Sequence, residues 1–275
     1  MTNNSDPEIG NFIDVGAIRT NYHDLGSGDP IVLIHGSGPG VTAWANWRFT
    51  LPELAKTHRV IALDMLGFGY TDPAPDGNYT QKSWQAHLRG FLDALELDKV
   101  SLIGNSFGGA MSLALAAAAP DRVDKILLMG SGGLEFPITP ALATVWSYRP
   151  SVENMREVMN VFAYNRALLN EDLIEMRYRA SIRPGISEAF AQMFARDQQA
   201  KALDMTTPED RIAALSHQTL IVHGREDQVV PLEHALRLHS LIKRSQLHVF
   251  GECGHWTQIE QRARFNQLAI SFFAE

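Results

Sequence analysis

The sequence predicts an α/β fold, in which a mostly parallel sheet is covered by helices on both faces and carries one helical insertion. Two observations lead to this prediction. Short apolar segments of β type alternate with helical segments, and this alternation stops once and then resumes. Nearly continuous apolar strands are typical of parallel sheets with two buried faces. With 275 residues, the chain is long enough for one such core with an inserted subdomain.

The individual elements follow from these patterns. An early segment, 12–28, has turn residues at both ends and resembles an antiparallel hairpin that leads into the sheet. The predicted strands of the parallel part are 31–35, 59–64, 100–105, 123–130, 219–224 and 246–251. The predicted helices of the core are 82–97, 107–119, 231–242 and about 259–273.

The alternation is interrupted by a helical segment that is rich in methionine and aromatic residues. We therefore divide the chain into a first core part, 1–136, an insertion, 137–208, and a second core part, 209–275. Such side chains often indicate only that helices pack on the core. The place of the insertion, between the two halves of the core, favours a lid over an apolar pocket.

Composition limits the classes of partner. The 24 Lys and Arg residues and 31 Asp and Glu residues give a net charge of −7, which argues against binding to nucleic acid or to an anionic membrane. A single cysteine, Cys253, excludes a disulfide within the chain and a cysteine-rich metal site. We expect a cytoplasmic protein, since we find neither a signal peptide nor an apolar run of about 20 residues.

One motif predicts a nucleophile. The sequence Gly104-Asn105-Ser106-Phe107-Gly108 follows an apolar strand and precedes an alanine-rich helix. A G-x-S-x-G motif in this setting is typical of the nucleophile elbow of α/β-hydrolases, whose glycines permit a tight turn. The turn would hold the Ser106 hydroxyl near the positive end of the following helix.

A serine nucleophile needs a base, and the base must be oriented by a third group. His255 follows the strand that ends near 251, and Asp227 follows the strand that ends at 224. Both residues are thus expected at the same sheet edge as Ser106, in the chain order Ser, Asp, His of this fold. Glu226 is adjacent to Asp227 and competes for its role. The histidines that we assign to packing or surface positions are His217, His223, His234, His239 and His248.

The glycine-rich loop 35–40, HGSGPG, predicts an oxyanion hole. Its backbone N–H groups can approach a ligand closely, and we assign Ser37 and Phe107 as the two N–H donors. The loop lacks the Gly-Lys-Ser/Thr sequence of a Walker-type phosphate site. Asp64, which opens the segment DMLGFG, is interpreted as part of a structural turn; it would be a nucleophile only if Ser106 were not.

Taken together, several segments resemble the meta-cleavage product hydrolases, which are α/β-hydrolases of bacterial aromatic degradation. These segments are HGSGPG, NWR at 46–48, DMLGFG, GNSFGG, HGREDQVVP and GHWTQIE. The resemblance covers nearly the whole chain. It implies hydrolysis of a carbon–carbon bond in a 2-hydroxy-6-oxo-hexa-2,4-dienoate, without a metal or organic cofactor. It leaves open whether serine or an activated water attacks.

The resemblance also implies which residues bind the substrate. Its carboxylate end would be held by Arg177, Asn105, Asn46 and Trp256; Arg179 and Arg183 are neighbouring alternatives to Arg177. The far end would be lined by apolar residues of the insertion and by Gly132, Val229 and Trp256, where glycine leaves space for a C6 substituent whose identity stays open. The family resemblance implies a homo-oligomer. The alternative activity is that of a serine carboxylesterase with the same triad.

Overall fold

The structure, a computed structural model, describes residues 6–194 and 197–275. Its centre is an eight-stranded sheet with the order β1-β2-β4-β3-β5-β6-β7-β8. The strands are β1 (Asn11–Val15), β2 (Ile18–Gly26), β3 (Pro30–Ile34), β4 (Arg59–Leu63), β5 (Val100–Asn105), β6 (Val123–Met129), β7 (Gln218–Gly224) and β8 (Ser245–Phe250).

Only β1 and β2 run antiparallel to their neighbours, and the six strands from β4 to β8 in the spatial order are parallel. The predicted hairpin corresponds to β1 and β2, which turn at Gly16 with a φ of 61°. The six predicted parallel strands agree with the observed ones to within one residue at each end. The predicted α/β fold with a mostly parallel sheet is therefore confirmed.

The helices cover both faces of the sheet. In chain order they are α1 (Ala43–Trp47), α2 (Leu51–Leu54), α3 (Gln81–Ala94), α4 (Phe107–Ala118), α5 (Pro140–Trp146), α6 (Val152–Phe162), α7 (Glu171–Ser181), α8 (Ile186–Phe194), α9 (Gln198–Asp204), α10 (Glu209–Ala213), α11 (Leu232–Leu241), α12 (Thr257–Glu260) and α13 (Arg262–Ala274). Two short 3-10 helices occupy Pro120–Arg122 and Arg166–Leu168.

Alternation along the strands divides the core into two layers. In β3, Val32 and Ile34 pack on the side of α3, α4 and α11, whereas Ile31 and Leu33 pack on the side of α1, α2 and α13. Successive side chains of a strand point to opposite faces, so each buried strand supplies both layers. This explains why the strands are apolar at nearly every position.

The helices α5 to α10 lie between β6 and β7 in the chain, within the predicted insertion except for α10. Their apolar side chains belong to the same core layer as α3 and α4; among them are Trp146, Met155, Phe162 and Phe194. The insertion is thus packed on the carboxyl-terminal side of the core without an independent core of its own. In the described part of the chain, no helix has the length and apolarity needed to cross a membrane.

Two helix predictions differ from the structure. The helix expected over 82–97 ends at Ala94, because the backbone turns and Glu96 takes a φ of 54°. The last helix, expected as one element from about 259, is two helices, α12 and α13, separated at Gln261. The backbone of Gln261, with φ −116° and ψ 33°, leaves the helical region, and apolar periodicity does not reveal such a break.

Candidate active site

Ser106 lies in a strained turn between β5 and α4. Its φ of 53° and ψ of −111° are unfavourable for a residue with a β-carbon, at a cost of about 1–3 kcal/mol. A β-carbon at Gly108 would overlap the carbonyl oxygen of Ile34, and one at Gly104 would overlap the backbone of Gly108. The two glycines of the motif are therefore required by the close approach of α4 to β3 and β5.

The loops after β7 and β8 bring Asp227 and His255 together. His255 Nδ1 lies 2.7 Å from Asp227 Oδ2, and both side chains are buried. The other carboxylate oxygen accepts hydrogen bonds from the backbone N–H groups of Val229, at 2.8 Å, and Val230, at 3.0 Å. Burial alone raises the pKa of Asp227, but the charge of His255 and its hydrogen bond outweigh it and hold that pKa below the usual value.

The competing carboxylate, Glu226, has a different environment. Its Oε2 accepts a hydrogen bond from the Cys253 N–H at 3.0 Å, and its Oε1 pairs with Arg225 at 2.8 Å. Its side chain is 26% exposed, whereas that of Asp227 is fully buried. Only Asp227 of the two is hydrogen-bonded to His255 in the described part of the chain.

A cavity beside Ser106 gathers most of the predicted substrate-binding residues. We call it the polar cavity because it contains the Arg177 guanidinium, although apolar side chains, Val41, Leu142, Val145 and Phe162, also line it. Its lining includes Ser37, Asn46, Asn105, Ser106, Arg177, Val229, His255 and Trp256. They come from six separate stretches of the sequence, at the carboxyl ends of strands and in the insertion. A site at this edge is what an open parallel sheet provides.

Arg177 of α7 is the main charge of this cavity. It is 5% exposed, and within residues 6–194 and 197–275 its Nε has no hydrogen-bond partner. Burial lowers the pKa of Arg177 to about 10, so the guanidinium remains a cation at neutral pH. The buried Glu8 carboxylate offsets part of this charge but is not hydrogen-bonded to the guanidinium in the described part of the chain. A buried cation short of acceptors is costly unless a further anion joins it. The geometry is therefore that of an anion-binding group.

The two neighbouring arginines are excluded from this role by their positions. Arg179 is exposed and pairs with Glu175 at 2.9 Å. Arg183 donates to the carbonyl oxygen of Gly69 and lies over the ring of Tyr70. Neither lines the polar cavity.

The predicted asparagines offer further polar groups to the cavity. Asn46 is buried on α1, and its Nδ2 has no partner in the described part of the chain. Asn105 is 1% exposed, and its Nδ2 donates to the carbonyl oxygen of Met129 at 3.3 Å. The Asn46 amide thus resembles Arg177, since each presents a buried donor that a ligand oxygen would satisfy.

A second, apolar cavity adjoins the polar one and shares Ser37, Ser106 and Leu142 with it. Its remaining lining comes from the core and from the insertion: Phe107, Ala110, Gly132, Gly133, Leu134, Phe136, Trp146, Ala202, Met205 and Val230. Ser106 is therefore positioned between a polar space that contains a cation and a space that is almost entirely apolar.

Three residues predicted at the far end of the substrate do not lie together. Gly132 lines the apolar cavity, whereas Val229 and Trp256 line the polar one, with the Arg177 guanidinium 5.8 Å from the Trp256 ring centre. The assignment of all three residues to the C6 end of the substrate stays a prediction.

Several cavity residues were missed in the sequence. Trp146 donates its indole N–H to Ser37 Oγ at 3.2 Å, and its ring stacks on Phe194 with centres 4.7 Å apart. Phe162 stacks on both His255 and Trp256. Both lie in the insertion, where no motif marks them; only the position of the insertion over the sheet edge gave a signal.

The loop 35–40 adopts the predicted position beside Ser106. Ser37 lines both cavities, and Phe107 is the first residue of α4 and lines the apolar one. A β-carbon at Gly38 would lie 3.3 Å from Nη2 of Arg177, so glycine there lets the loop pass close to the buried cation.

Asp64 lies outside both cavities. It is fully buried and accepts hydrogen bonds from the N–H of Ala43 at 2.5 Å, the N–H of Tyr70 at 2.7 Å and Asn21 Nδ2 at 2.8 Å. Burial raises its pKa to about 7 against these three donors. These contacts join β2, α1 and the turn after β4, in agreement with a structural turn.

One histidine that we assigned to packing has a further contact. His223 Nε2 lies 3.5 Å from Asp227 Oδ2 and 3.0 Å from the carbonyl oxygen of Val230. Burial lowers its pKa, which favours the neutral ring. His223 therefore packs as a neutral side chain against the turn that carries Asp227.

The described residues contain no group of three or more His, Cys, Asp or Glu side chains that could hold a metal ion.

The environment of Asp227 leads to a prediction. Asp227→Asn would remove the acceptor that fixes the tautomer of His255, so we expect labelling of Ser106 by a serine-directed phosphonate to slow by about 10³–10⁴-fold. Glu226→Gln is the matched control, and we expect it to slow labelling less than tenfold. Equal effects of the two substitutions on the labelling rate would contradict the assignment of Asp227.

Comparison with known proteins identifies the family of the chain. The family model of the alpha/beta hydrolase fold matches residues 29–261. The chain is 55% identical over 269 residues to a 2-hydroxymuconate semialdehyde hydrolase of Pseudomonas sp. (strain CF600), covering 98% of this chain and 95% of the relative. It is also 55% identical over 271 residues to a 2-hydroxy-6-oxo-2,4-heptadienoate hydrolase of Pseudomonas putida, covering 98% of each.

Solved structures give the same result. A meta-cleavage product hydrolase from Pseudomonas fluorescens superimposes with a TM-score of 0.96 at 51% identity, covering 98% of this chain and 99% of the other. A 2-hydroxy-6-oxo-6-phenylhexa-2,4-dienoate hydrolase from Rhodococcus sp. has a TM-score of 0.89 at 30% identity, covering 96% and 98%. The chain therefore belongs to the meta-cleavage product hydrolases within the α/β-hydrolase family.

Proposed function

We propose that this protein hydrolyses the carbon–carbon bond between C5 and C6 of a 2-hydroxy-6-oxo-hexa-2,4-dienoate in bacterial degradation of aromatic hydrocarbons. The products are 2-hydroxypenta-2,4-dienoate and a carboxylic acid. The observation that carries the proposal is the buried Arg177 guanidinium, which has an unpartnered Nε and lies in the cavity beside Ser106. A simple ester offers no anion for such a group, whereas the dienoate has a carboxylate and an enolate.

The chemical steps are assigned to the triad. The substrate first ketonises, which makes the dienoate fragment an electron sink. Ser106 then attacks the C6 carbonyl while His255 accepts the hydroxyl proton. The C5–C6 bond breaks, its electron pair forms the C4=C5 double bond and the charge moves through C2=C3 to the C2 oxygen, which takes up a proton to give the 2-hydroxydienoate. Water releases the carboxylic acid from the acyl group on Ser106. Asp227, whose pKa is held low beside His255, keeps the imidazole oriented and stabilises its charged form.

The alternative in which His255 activates a water that attacks C6 directly uses the same residues and gives the same products. In both cases the C6 oxygen becomes negatively charged. We assign the backbone N–H groups of Ser37 and Phe107 to this oxygen. One such donor typically contributes about 2.7–4 kcal/mol to lowering the barrier.

The two cavities match the two ends of this substrate. The carboxylate and the enolate oxygen would be bound by Arg177, Asn46 and Asn105, with Trp256 packed beside the Arg177 guanidinium. Val229 would contact the substrate toward C6, as the family resemblance implies. The C6 substituent would enter the apolar cavity beside Gly132. The scissile bond then lies next to Ser106, where the two cavities meet.

The remaining proposals concern the setting of the enzyme. We propose that residues 137–208 act as a lid, since Leu142, Trp146, Phe162 and Arg177 contribute to the walls of the two cavities. We also propose that the protein is cytoplasmic, acts without a cofactor and forms a homo-oligomer, as the family resemblance implies.

A serine carboxylesterase is the second candidate function, because the Ser106–His255–Asp227 set is sufficient for ester hydrolysis. Arg177 distinguishes the two functions. Arg177 is only 5% exposed. Ester hydrolysis does not need a buried cation, and burying one lowers the stability of the folded protein without benefit to esterase activity.

Replacement of Arg177 tests the proposal. Arg177→Met would remove the charged hydrogen bonds to the carboxylate, each worth about 1.5–3 kcal/mol, so we expect kcat/KM for the dienoate to fall by about 10²–10⁴-fold. Turnover of p-nitrophenyl acetate should change less than twofold. Arg179→Met is the matched control and should change neither rate. A fall in ester turnover as large as that for the dienoate would contradict the proposed role.

Replacement of Gly132 tests the location of the C6 substituent. A β-carbon here would lie 3.7 Å from Ala110 Cβ and from the Ser106 carbonyl oxygen, so Gly132→Ala fits without displacing the backbone. Because the added methyl occupies the apolar cavity, we expect activity on 6-phenyl relative to 6-methyl substrate to fall by about 10-fold. An unchanged ratio of kcat/KM values across C6 substituents would place the substituent elsewhere.

A further inference from the structure

We propose that Glu260 is a positioning residue that ties the loop carrying His255 to the end of helix α6, so that the lid segment aligns the imidazole. The inference rests on the proposed role of His255 as the base. Glu260 is the last residue of α12 and was part of the GHWTQIE segment, but the assigned chemistry does not use it.

The Glu260 carboxylate bridges two segments of the chain. Oε1 accepts a hydrogen bond from the N–H of Gly254, directly before His255, at 2.8 Å. Oε2 accepts one from the N–H of Asn165, in the segment that follows α6, also at 2.8 Å. Each oxygen thus binds the backbone of a different segment, and the segments are almost 90 residues apart in the sequence.

The same two segments contact each other directly. The His255 N–H donates to the carbonyl oxygen of Phe162 at 2.8 Å. The Phe162 ring stacks on the His255 ring with centres 5.7 Å apart and on the Trp256 ring with centres 4.9 Å apart. The backbone and the ring of the histidine are therefore both held by the end of α6.

Gly254 shows how closely the two segments approach. A β-carbon at this position would lie 2.7 Å from the Phe162 carbonyl oxygen and 2.8 Å from the Tyr164 nitrogen. Real β-carbons do not tolerate such distances, so the loop requires glycine because the lid backbone passes over it. Oε1 of Glu260 lies 3.1 Å from the same β-carbon position, so the carboxylate also packs against Gly254.

Glu260 is a carboxylate held by backbone N–H groups. The side chain is partly buried, burial raises its pKa, and within residues 6–194 and 197–275 it forms no ion pair with Lys, Arg or His. A carboxylate that faces backbone N–H groups alone is costly to bury, but it forms short charge-assisted hydrogen bonds of defined direction. Such hydrogen bonds define the positions of the two backbone segments relative to the carboxylate.

His255 requires this kind of support. Its Nδ1 is fixed by Asp227, but a single hydrogen bond leaves the ring free to tilt about it. Small displacements of a general base reduce its rate strongly, because proton transfer needs hydrogen-bond geometry. Two further hydrogen bonds hold the loop. The Gly254 N–H donates to Glu260, which is itself bound to the lid, and the His255 N–H donates to the Phe162 carbonyl oxygen of the lid.

Glu260→Gln tests the proposal. The amide keeps one acceptor oxygen but faces the other N–H with its NH₂ group, so one of the two links is lost. We expect kcat to fall by about 10–100-fold, equally for the dienoate and for p-nitrophenyl acetate, with KM changed less than twofold. Glu260→Asp keeps both oxygens and the charge and should recover part of kcat. Glu188→Gln, an exposed carboxylate of α8, is the matched control and should have no effect.

A second measurement separates positioning from general weakening. We expect Glu260→Gln to slow phosphonate labelling of Ser106 in the native background and to have no further effect in a His255→Ala background. All rates are measured at least 15 °C below the melting temperature of each variant. An unchanged kcat, a loss confined to KM, or an equal loss in the His255→Ala background would each overturn the proposal.

The ester and labelling assays also keep this inference distinct from the proposed function. If the native protein does not turn over any dienoate, the proposed function fails. The role of Glu260 is then still decided by the ester and labelling rates, which need Ser106 and His255 but not Arg177.

Discussion

The turn that holds Ser106 is the constraint on which the rest of the site depends. It exists because α4 packs so closely on β3 and β5 that neither Gly104 nor Gly108 has room for a β-carbon. The close packing forces Ser106 to a φ of 53° and leaves its side chain at the sheet edge, at the start of α4. The two cavities meet at this residue. In the proposed mechanism, the fixed position of Ser106 therefore places the nucleophile between the carboxylate end of the substrate and its C6 substituent.

The sheet and the insertion contribute different groups to the site around Ser106. The parallel strands β7 and β8 place Asp227 and His255 at the same edge of the sheet, where the two buried side chains form a hydrogen bond. The insertion supplies Arg177 and the backbone contacts to the histidine loop. In the proposed mechanism, substrate binding and alignment of the base would therefore depend on the same group of helices, which would couple closure over the substrate to formation of the catalytic geometry.

The sequence predicted the sheet well because its central parallel strands are buried and largely apolar, as in β3, where the four residues Ile31 to Ile34 are all apolar and buried. It predicted Ser106, Asp227 and His255 because each follows a recognisable strand. It did not predict Trp146, Phe162 or Glu260, whose contacts join segments far apart in the chain. It also did not separate Gly132, which lines the apolar cavity, from Val229 and Trp256, which line the polar one, because the packing of loops around a cavity depends on tertiary contacts.

The most direct test of the account is a rapid-mixing absorbance measurement of ring-fission products with hydrogen, methyl, isopropyl or phenyl at C6. Native protein is compared with Ser106→Ala. We predict fast bleaching of the yellow dienolate by native protein and bleaching slower by several orders of magnitude in the variant, with the fastest member naming the preferred substituent. No bleaching of any member, together with turnover of p-nitrophenyl esters, would contradict the account and leave a serine esterase on the same fold.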